Sequence, residues 1–269
     1  MKKALFILII SLTCMMVTMP LYASFEGFWT SQSITKSSGM MFGGNQDKIE
    51  KQTTFYKKGK MRIESDDGEI IIIRPDLELS WQINKTEGTY TEIKFAEIKS
   101  GMDMVKNMME SEEMQNALKD MPPEQREMME KMMGKSKKHK SKGLSMDIKV
   151  VHTGKTEKVN GEKCEIVKVM SGDKTMMTFW MAKNFDMGRD IYKQYEAMGI
   201  FSKASNKEFA KLKGFPMKTV TNMGFGGMST NVTSTVTKIK KTRVSDKKFE
   251  LPKGFKKLEN PMMQGMMKR

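Results

Sequence analysis

Methionine is the residue type that offers this chain its most unusual chemistry, with 31 among 269 residues. Met128, Met129, Met132 and Met133 share an arc of about 140° if the segment is α-helical, and Met102, Val105 and Met109 follow Ile98 at helical spacing, with Met104 and Met108 widening that stripe. A cluster of thioethers suits a soft cation, Cu(I) or Ag(I). The same side chains, flexible and polarizable, also adapt to an irregular apolar partner such as an acyl chain. The plainest reading is that a methionine stripe at helical spacing packs a helix onto its neighbours. No Cys or His stands among these methionines, and His139 and His152 lie apart, so no metal-ligand set and no cofactor is assigned.

Catalytic readings find less support. Neither histidine adjoins a Ser or Cys motif, so no nucleophile–base pair is visible. Met41-Phe42-Gly43-Gly44 and Phe225-Gly226-Gly227 lack the Gly-Lys-Ser/Thr ending of a phosphate loop. Asp66-Asp67-Gly68 reads as a turn and not as a carboxylate dyad. The basic run from Lys135 to Lys142 has no interleaved aromatics, so it gives no signal for nucleic acid, although it would suit phosphate or lipid headgroups. A non-catalytic binding protein is the expectation.

The elements that would position such residues are mostly strands. From Lys57 to Phe95 the chain reads as a four-stranded meander punctuated by Gly59-Lys60, Asp67-Gly68, Pro75-Asp76 and Glu87-Gly88. Within it Leu77, Leu79, Trp81 and Ile83 alternate with polar residues, the period of a half-buried strand. Two strand candidates precede the meander on either side of a Gly/Ser loop from Ser37 to Gln46. The pattern turns helical at Ile98 and again after Pro122-Pro123, with Gly134 as a stop. Strand character returns at Leu144, and Asn160-Gly161 marks a tight hairpin. Met177, Phe179 and Met181 alternate along a later strand, 190–199 and 206–212 read as short helices, and two final strands flank a glycine-rich turn at Gly224–Gly227. About ten strands with segregated helices make an α+β fold. The expected form is one domain over 24–259, a curved antiparallel sheet covered by a Met-rich helical hairpin at 98–135, with a flexible tail at 260–269.

The first residues read as a targeting segment. Met1-Lys2-Lys3 is a basic start, Ala4 to Leu12 an apolar stretch, and Leu21-Tyr22-Ala23 a cleavage site, so residues 1–23 are expected to be a signal peptide removed after about Ala23. Cys14 follows Ser11-Leu12-Thr13, a poor lipoprotein signal. The protein is then exported, periplasmic or extracellular. The formal charge of +15 becomes +13 once Lys2 and Lys3 are removed, and a basic exported chain meets anionic envelope surfaces or simply stays soluble. Cys164 would be the one remaining cysteine, without an internal partner, and it reads as a small buried side chain.

A set of short motifs carries a resemblance. Tyr56-Lys-Lys-Gly-Lys-Met-Arg-Ile-Glu64, Ile72-Ile-Arg-Pro-Asp76, Trp81 and Thr89-Tyr90 occur in order, followed by Pro122-Pro-Glu-Gln-Arg-Glu-Met-Met129, Asn160-Gly-Glu-Lys-Cys164, Trp180, Gly214-Phe-Pro-Met-Lys218 and Phe249-Glu-Leu-Pro-Lys-Gly-Phe255. Together they resemble a bacterial secreted family, domain of unknown function 4412, over most of the chain after residue 23. That family is in turn similar to the LolA/LolB lipoprotein carriers, an open β-barrel with a helical lid over an apolar cavity. What the resemblance implies is the fold; it transfers no functional residue.

The resulting expectation is an apolar or lipid-like ligand between sheet and helices, held by Met102, Val105, Met109, Met129 and Met132 from the helices and Leu79, Trp81 and Phe179 from the sheet. Burying an eight-carbon chain would contribute about 6 kcal/mol before ordering costs. Two alternatives stand beside it: an envelope interaction or structural protein with a filled core, and a Cu(I)/Ag(I) binder at Met128, Met129, Met132 and Met133.

Overall fold

The computed structural model describes residues 25–38, 46–111, 116, 148–185, 187, 203–225 and 228–260. Twelve strands form one sheet: β1 (Glu26–Ser38), β2 (Gln46–Lys57), β3 (Lys60–Ser65), β4 (Glu69–Arg74), β5 (Leu79–Asn84), β6 (Thr89–Lys94), β7 (Ile148–Val159), β8 (Glu162–Ser171), β9 (Lys174–Ala182), β10 (Phe215–Phe225), β11 (Met228–Lys241) and β12 (Lys256–Leu258). Helix α1 spans Phe95–Glu110 and α2 spans Lys203–Phe209. The strand order is β12-β6-β5-β4-β3-β2-β1-β11-β10-β9-β8-β7, so among the described residues β12 and β7 are the edges and the sheet does not close.

Tight turns join the meander and the later hairpins. Lys58-Gly59 and Asn160-Gly161 both hold consecutive positive φ values, 47° and 83°, then 52° and 84°, the backbone of a two-residue hairpin. The Asp67 carboxylate accepts the Glu69 N–H at 3.2 Å, which fixes the Asp-Gly turn.

Several expectations are corrected. The strand count is twelve, not about ten, and one pairing is parallel, β12 with β6. The strand expected from Leu77 begins at Leu79, because Pro75–Leu77 winds into a 3-10 turn and Glu78 takes φ 53°. Leu77 is consequently exposed. Helix α1 starts at Phe95, not Ile98, where the Glu97 carboxylate accepts the Lys94 N–H at 3.3 Å. The helix expected after 206 begins at Lys203. The signal segment 1–23, the helices expected at 122–134 and 190–199, the basic link 135–142 and the tail beyond residue 260 lie outside the described residues.

The sheet is curled. In order, β8 and β11 are separated by β9 and β10, about 14 Å apart on a flat sheet. Yet Asn160 Nδ2, at the tip of the β7–β8 hairpin, donates to the carbonyls of Val236 and Thr237 in β11, at 3.0 and 2.6 Å. Bulges between Thr30 and Ser31 in the β1–β11 register and between Pro216 and Lys218 in the β9–β10 register supply local twist there.

Register separates two faces. Trp29, Tyr56, Met61 and Ile63 share one face with Ser33, Ser234, Thr219 and Phe179, through the pairs Trp29–Thr54, Thr54–Ile63, Ser33–Ser234 and Thr219–Phe179. Arg62, Ile72, Trp81, Phe55 and Phe28 share the other, through Phe28–Phe55, Phe55–Arg62, Arg62–Ile72 and Ile72–Trp81. One cluster joins Trp29, Tyr56 and Met61 of the Trp29 face to Phe215, Cys164 and Ala182 at the ends of β10, β8 and β9, with Trp180 packed against it, while a second seats Phe209 and Leu212, at the end of α2 and just beyond it, on Val150, Val167, Val169 and Met181. On the Trp81 face the chain leaving β11 crosses back over β2–β5. Val244 and Phe249 pack on Ile70, Ile72, Trp81 and Ile83 before the crossing delivers β12 to β6. Arg62 and Arg74 hold this strap by donating to the carbonyls of Lys248 and Phe249, at 3.2 and 3.0 Å.

Candidate functional site: the Trp29 face of the sheet

Between the two apolar clusters the Trp29 face changes character. Across β1, β11 and β10 it presents Ser31, Ser33, Ser234, Thr219 and Thr221, with Ser33 opposite Ser234 and Ser234 opposite Thr219. Ser31 is buried and the others are half-buried. On one side β2 presents Gln52 and Glu50 to this hydroxyl floor, and Ile63 and Ile71, paired across β3–β4, lie one strand further at the level of Trp29. On the other it meets Phe179 and Met177, paired with Val167 and Val169 across β8–β9. From β3 to β9 the floor and its flanks span five strand spacings, about 24 Å along the curled sheet.

Charge is sparse there. No ionisable side chain projects from β1 or β10 on this face, and β11 contributes only Lys241 at its end, but β2 sets a Lys48–Glu50 ion pair (2.7 Å) beside the floor, with Glu50 opposite Ser33. Hydroxyls backed by aliphatic and aromatic flanks match an amphipathic molecule: the flanks take hydrocarbon, and the floor supplies hydrogen-bond donors and acceptors. Cys164 is fully buried, burial pushes its thiol up, and its Sγ lies 3.5 Å from the Glu162 carbonyl. His152 pairs with Glu165 at 2.8 Å on the exposed β7–β8 hairpin, and that hydrogen bond holds the Glu165 carboxyl below its ordinary range. Among the described residues no three His, Cys, Asp or Glu side chains gather at metal-binding distance.

The residues expected at a ligand site do not fall together. Phe179 belongs to the flank just described. Leu79 and Trp81 lie on the opposite face, inside the cluster closed by Phe249, and the Trp81 indole donates to Glu92 at 3.0 Å. The sheet itself stands between them. Met102, Val105 and Met109 lie in α1, but their side chains, like Met129 and Met132 as a whole, fall outside the described residues, as do Met128 and Met133. The hydroxyl floor was missed from sequence, because within 228–237 Val232 and Val236 share the face of Ser234 and only pairing with β1 and β10 assembles the hydroxyls.

A family model described as "Domain of unknown function (DUF4412)" matches residues 78–255, more than half of the chain, and the chain belongs to that family. None of the curated proteins matches it. Among solved structures it is similar to a domain ascribed to outer membrane lipoprotein sorting, from Vibrio parahaemolyticus, at 12% identity over 84% of this chain and 89% of that one. Their TM-score is 0.28, an overlap too loose to carry an argument about fold or function.

Proposed function

We propose that this protein is a non-catalytic, exported binder of an apolar or lipid-like molecule, and that the molecule lies on the Trp29 face. The observation that carries the reading is the hydroxyl floor of β1, β11 and β10 on a curled sheet, flanked by Phe179 and Met177 on the β9 side and by Gln52 and the Lys48–Glu50 pair on the β2 side. Export rests on the basic-then-apolar start of the chain and its Ala23 cleavage pattern. The resemblance to carriers with an open barrel and helical lid points the same way. Among the described residues no helix is long and apolar enough to cross a membrane.

This reading reassigns the sheet residues. Phe179 touches the ligand; Leu79 and Trp81 hold the strap. Titration with a fluorescent fatty acid tests that division. Replacing Phe179 by Ala removes an aromatic flank and weakens uptake by roughly tenfold, whereas Trp81→Phe leaves affinity unchanged. No saturable uptake by the wild-type chain, together with repeated absence of co-purifying lipid in native mass spectrometry, would leave a filled-core envelope protein as the better account.

A further inference from the structure

The strap covers the Trp81 face only over β2–β5. Over β10, β11 and β1 the strap does not reach that face among the described residues, while on β9 Trp180 packs against the cluster of Phe215, Cys164 and Ala182, and the chemistry differs from that of the hydroxyl floor behind it. Lys218, Lys238 and Lys240 project from β10 and β11 there, with Lys51 on neighbouring β2, and none of the four forms an ion pair among the described residues. Aromatic rings lie among them. The Lys238 ammonium is 5.7 Å from the Phe28 ring, the Lys218 ammonium is 4.4 Å from Trp180, and Phe28 and Phe55 sit 5.9 Å apart.

Acidic side chains are few and placed at the margins. On this face β10 and β11 carry none, and β1 carries only Glu26, whose carboxylate accepts the Val244 N–H at 2.6 Å and lies 3.7 Å from Lys57. Glu157 borders the patch at one end, accepting from the Trp180 indole at 2.8 Å. Asp47 borders it at the other, opposite Lys36. Between these margins Ile34 pairs with Ile49, which is 59% exposed.

We propose that this lysine–aromatic face docks on an anionic membrane surface. Four facts select a lipid surface over an acidic polymer. All the cations of the patch are lysines, point charges suited to a diffuse anionic layer. The described arginines, whose planar forks suit bidentate recognition of individual phosphates, lie at the strap: Arg62 and Arg74 hold it and Arg243 enters it. The Phe28 and Trp180 ring faces are already occupied by the protein's own ammoniums, so they offer no stacking platform for bases. The exposed Ile49, one residue from Ile34 across the strands and two from Lys51 along β2, supplies an apolar group at headgroup depth. A chain seated this way turns its Trp29 face away from the bilayer.

Co-sedimentation of the full chain with phosphatidylcholine vesicles, with and without phosphatidylglycerol, tests the proposal. The expected result is binding that requires phosphatidylglycerol and weakens with salt. Removing Lys51, Lys218, Lys238 and Lys240 together, each as Lys→Gln, lowers affinity by about fivefold per lysine, several hundredfold in all. A control that removes the same charge at the far end of β7–β9, Lys155, Lys158, Lys163 and Lys183 each as Lys→Gln, keeps most of the affinity. Ile49→Ser, which leaves the charge intact, reduces binding severalfold. Equal binding to neutral vesicles overturns the proposal. So does equal weakening in the two Gln variants, which would make the effect one of net charge, and so does retention on dextran sulfate without any vesicle binding.

Discussion

Single side chains in the core show how little freedom this chain has at the positions its family motifs mark. At Gly214 the backbone holds φ 91°, and an added Cβ would collide with the Ala182 carbonyl oxygen. Gly214→Ala therefore combines a left-handed penalty with a backbone clash, and a loss of about 2–4 kcal/mol in urea unfolding is expected. A loss under about half a kcal/mol would mean that β9 and β10 are not so closely joined there. Cys164 is the other test at this scale. Fully buried, with its thiol pushed up by desolvation, it should react with iodoacetamide only when the hairpin opens. Alkylation that accelerates in step with added urea is the expected outcome; rapid alkylation of the native chain would contradict the burial. Both residues were legible as motif members in the sequence, in Gly214-Phe-Pro-Met and Asn160-Gly-Glu-Lys-Cys164. Their roles were not, since a backbone clash and a zero exposure are properties of packing.

The element that the sequence hid most completely is the strap. Ile72-Ile-Arg-Pro-Asp76, Trp81 and Phe249 to Phe255 looked like separate signatures, yet they meet in one cluster: Phe249 and Val244 fill the surface of Ile70, Ile72, Trp81 and Ile83. Arg74 grips Asp76 through two nitrogens, at 2.7 and 2.8 Å, while donating to the Phe249 carbonyl. Contacts across some 175 residues of chain leave no periodic trace, which is why β12 and its parallel pairing went unforeseen. The strap is also tied down by ion pairs. Lys257 meets Glu92 at 2.9 Å, and Lys57 meets Asp246 at 2.9 Å. Hydrogen bonds from Lys257 and then Trp81 hold the Glu92 carboxyl below its ordinary range, and one from Lys57 does the same for Asp246. A carboxyl lowered in the folded state stabilises fully above its unfolded pKa, roughly 4, and that contribution disappears as the pH falls through the lower folded value. These pairs are exposed, so their loss loosens the strap and not the whole sheet. Hydrogen exchange over 244–258, corrected for intrinsic rate, should rise as the pH drops from about 5 to about 3, ahead of β8–β10. Glu92→Gln should show part of that rise already at neutral pH. Strap and sheet losing protection together would argue against a locally held element.

For the molecule as a whole, the sequence made the dominance of antiparallel strands legible because alternation and turn dipeptides are local signals. Asn160-Gly161, Asp67-Gly68 and the Leu79–Ile83 alternation all reappear in the sheet. Which face a strand turns toward a ligand is not local. Trp81 and Phe179 look equivalent as large residues in alternating strands, and only the register across eight neighbouring strands puts them on opposite sides. The proposed site therefore moves from a mixed set of sheet residues to the hydroxyl floor and its flanks, while Met102, Val105, Met109, Met129 and Met132 were expected at the site from sequence and their side chains lie outside the described residues. The account's central claim is that an acyl chain lies on the Trp29 face. Photocrosslinking with a diazirine-bearing fatty acid, followed by peptide mapping, tests it most directly. Adducts on β1, β9, β10 and β11 at Ser33, Thr221, Met177 or Phe179 are the predicted result; adducts confined to Leu79, Trp81 and the strap, or none that an unlabelled fatty acid competes away, would contradict it.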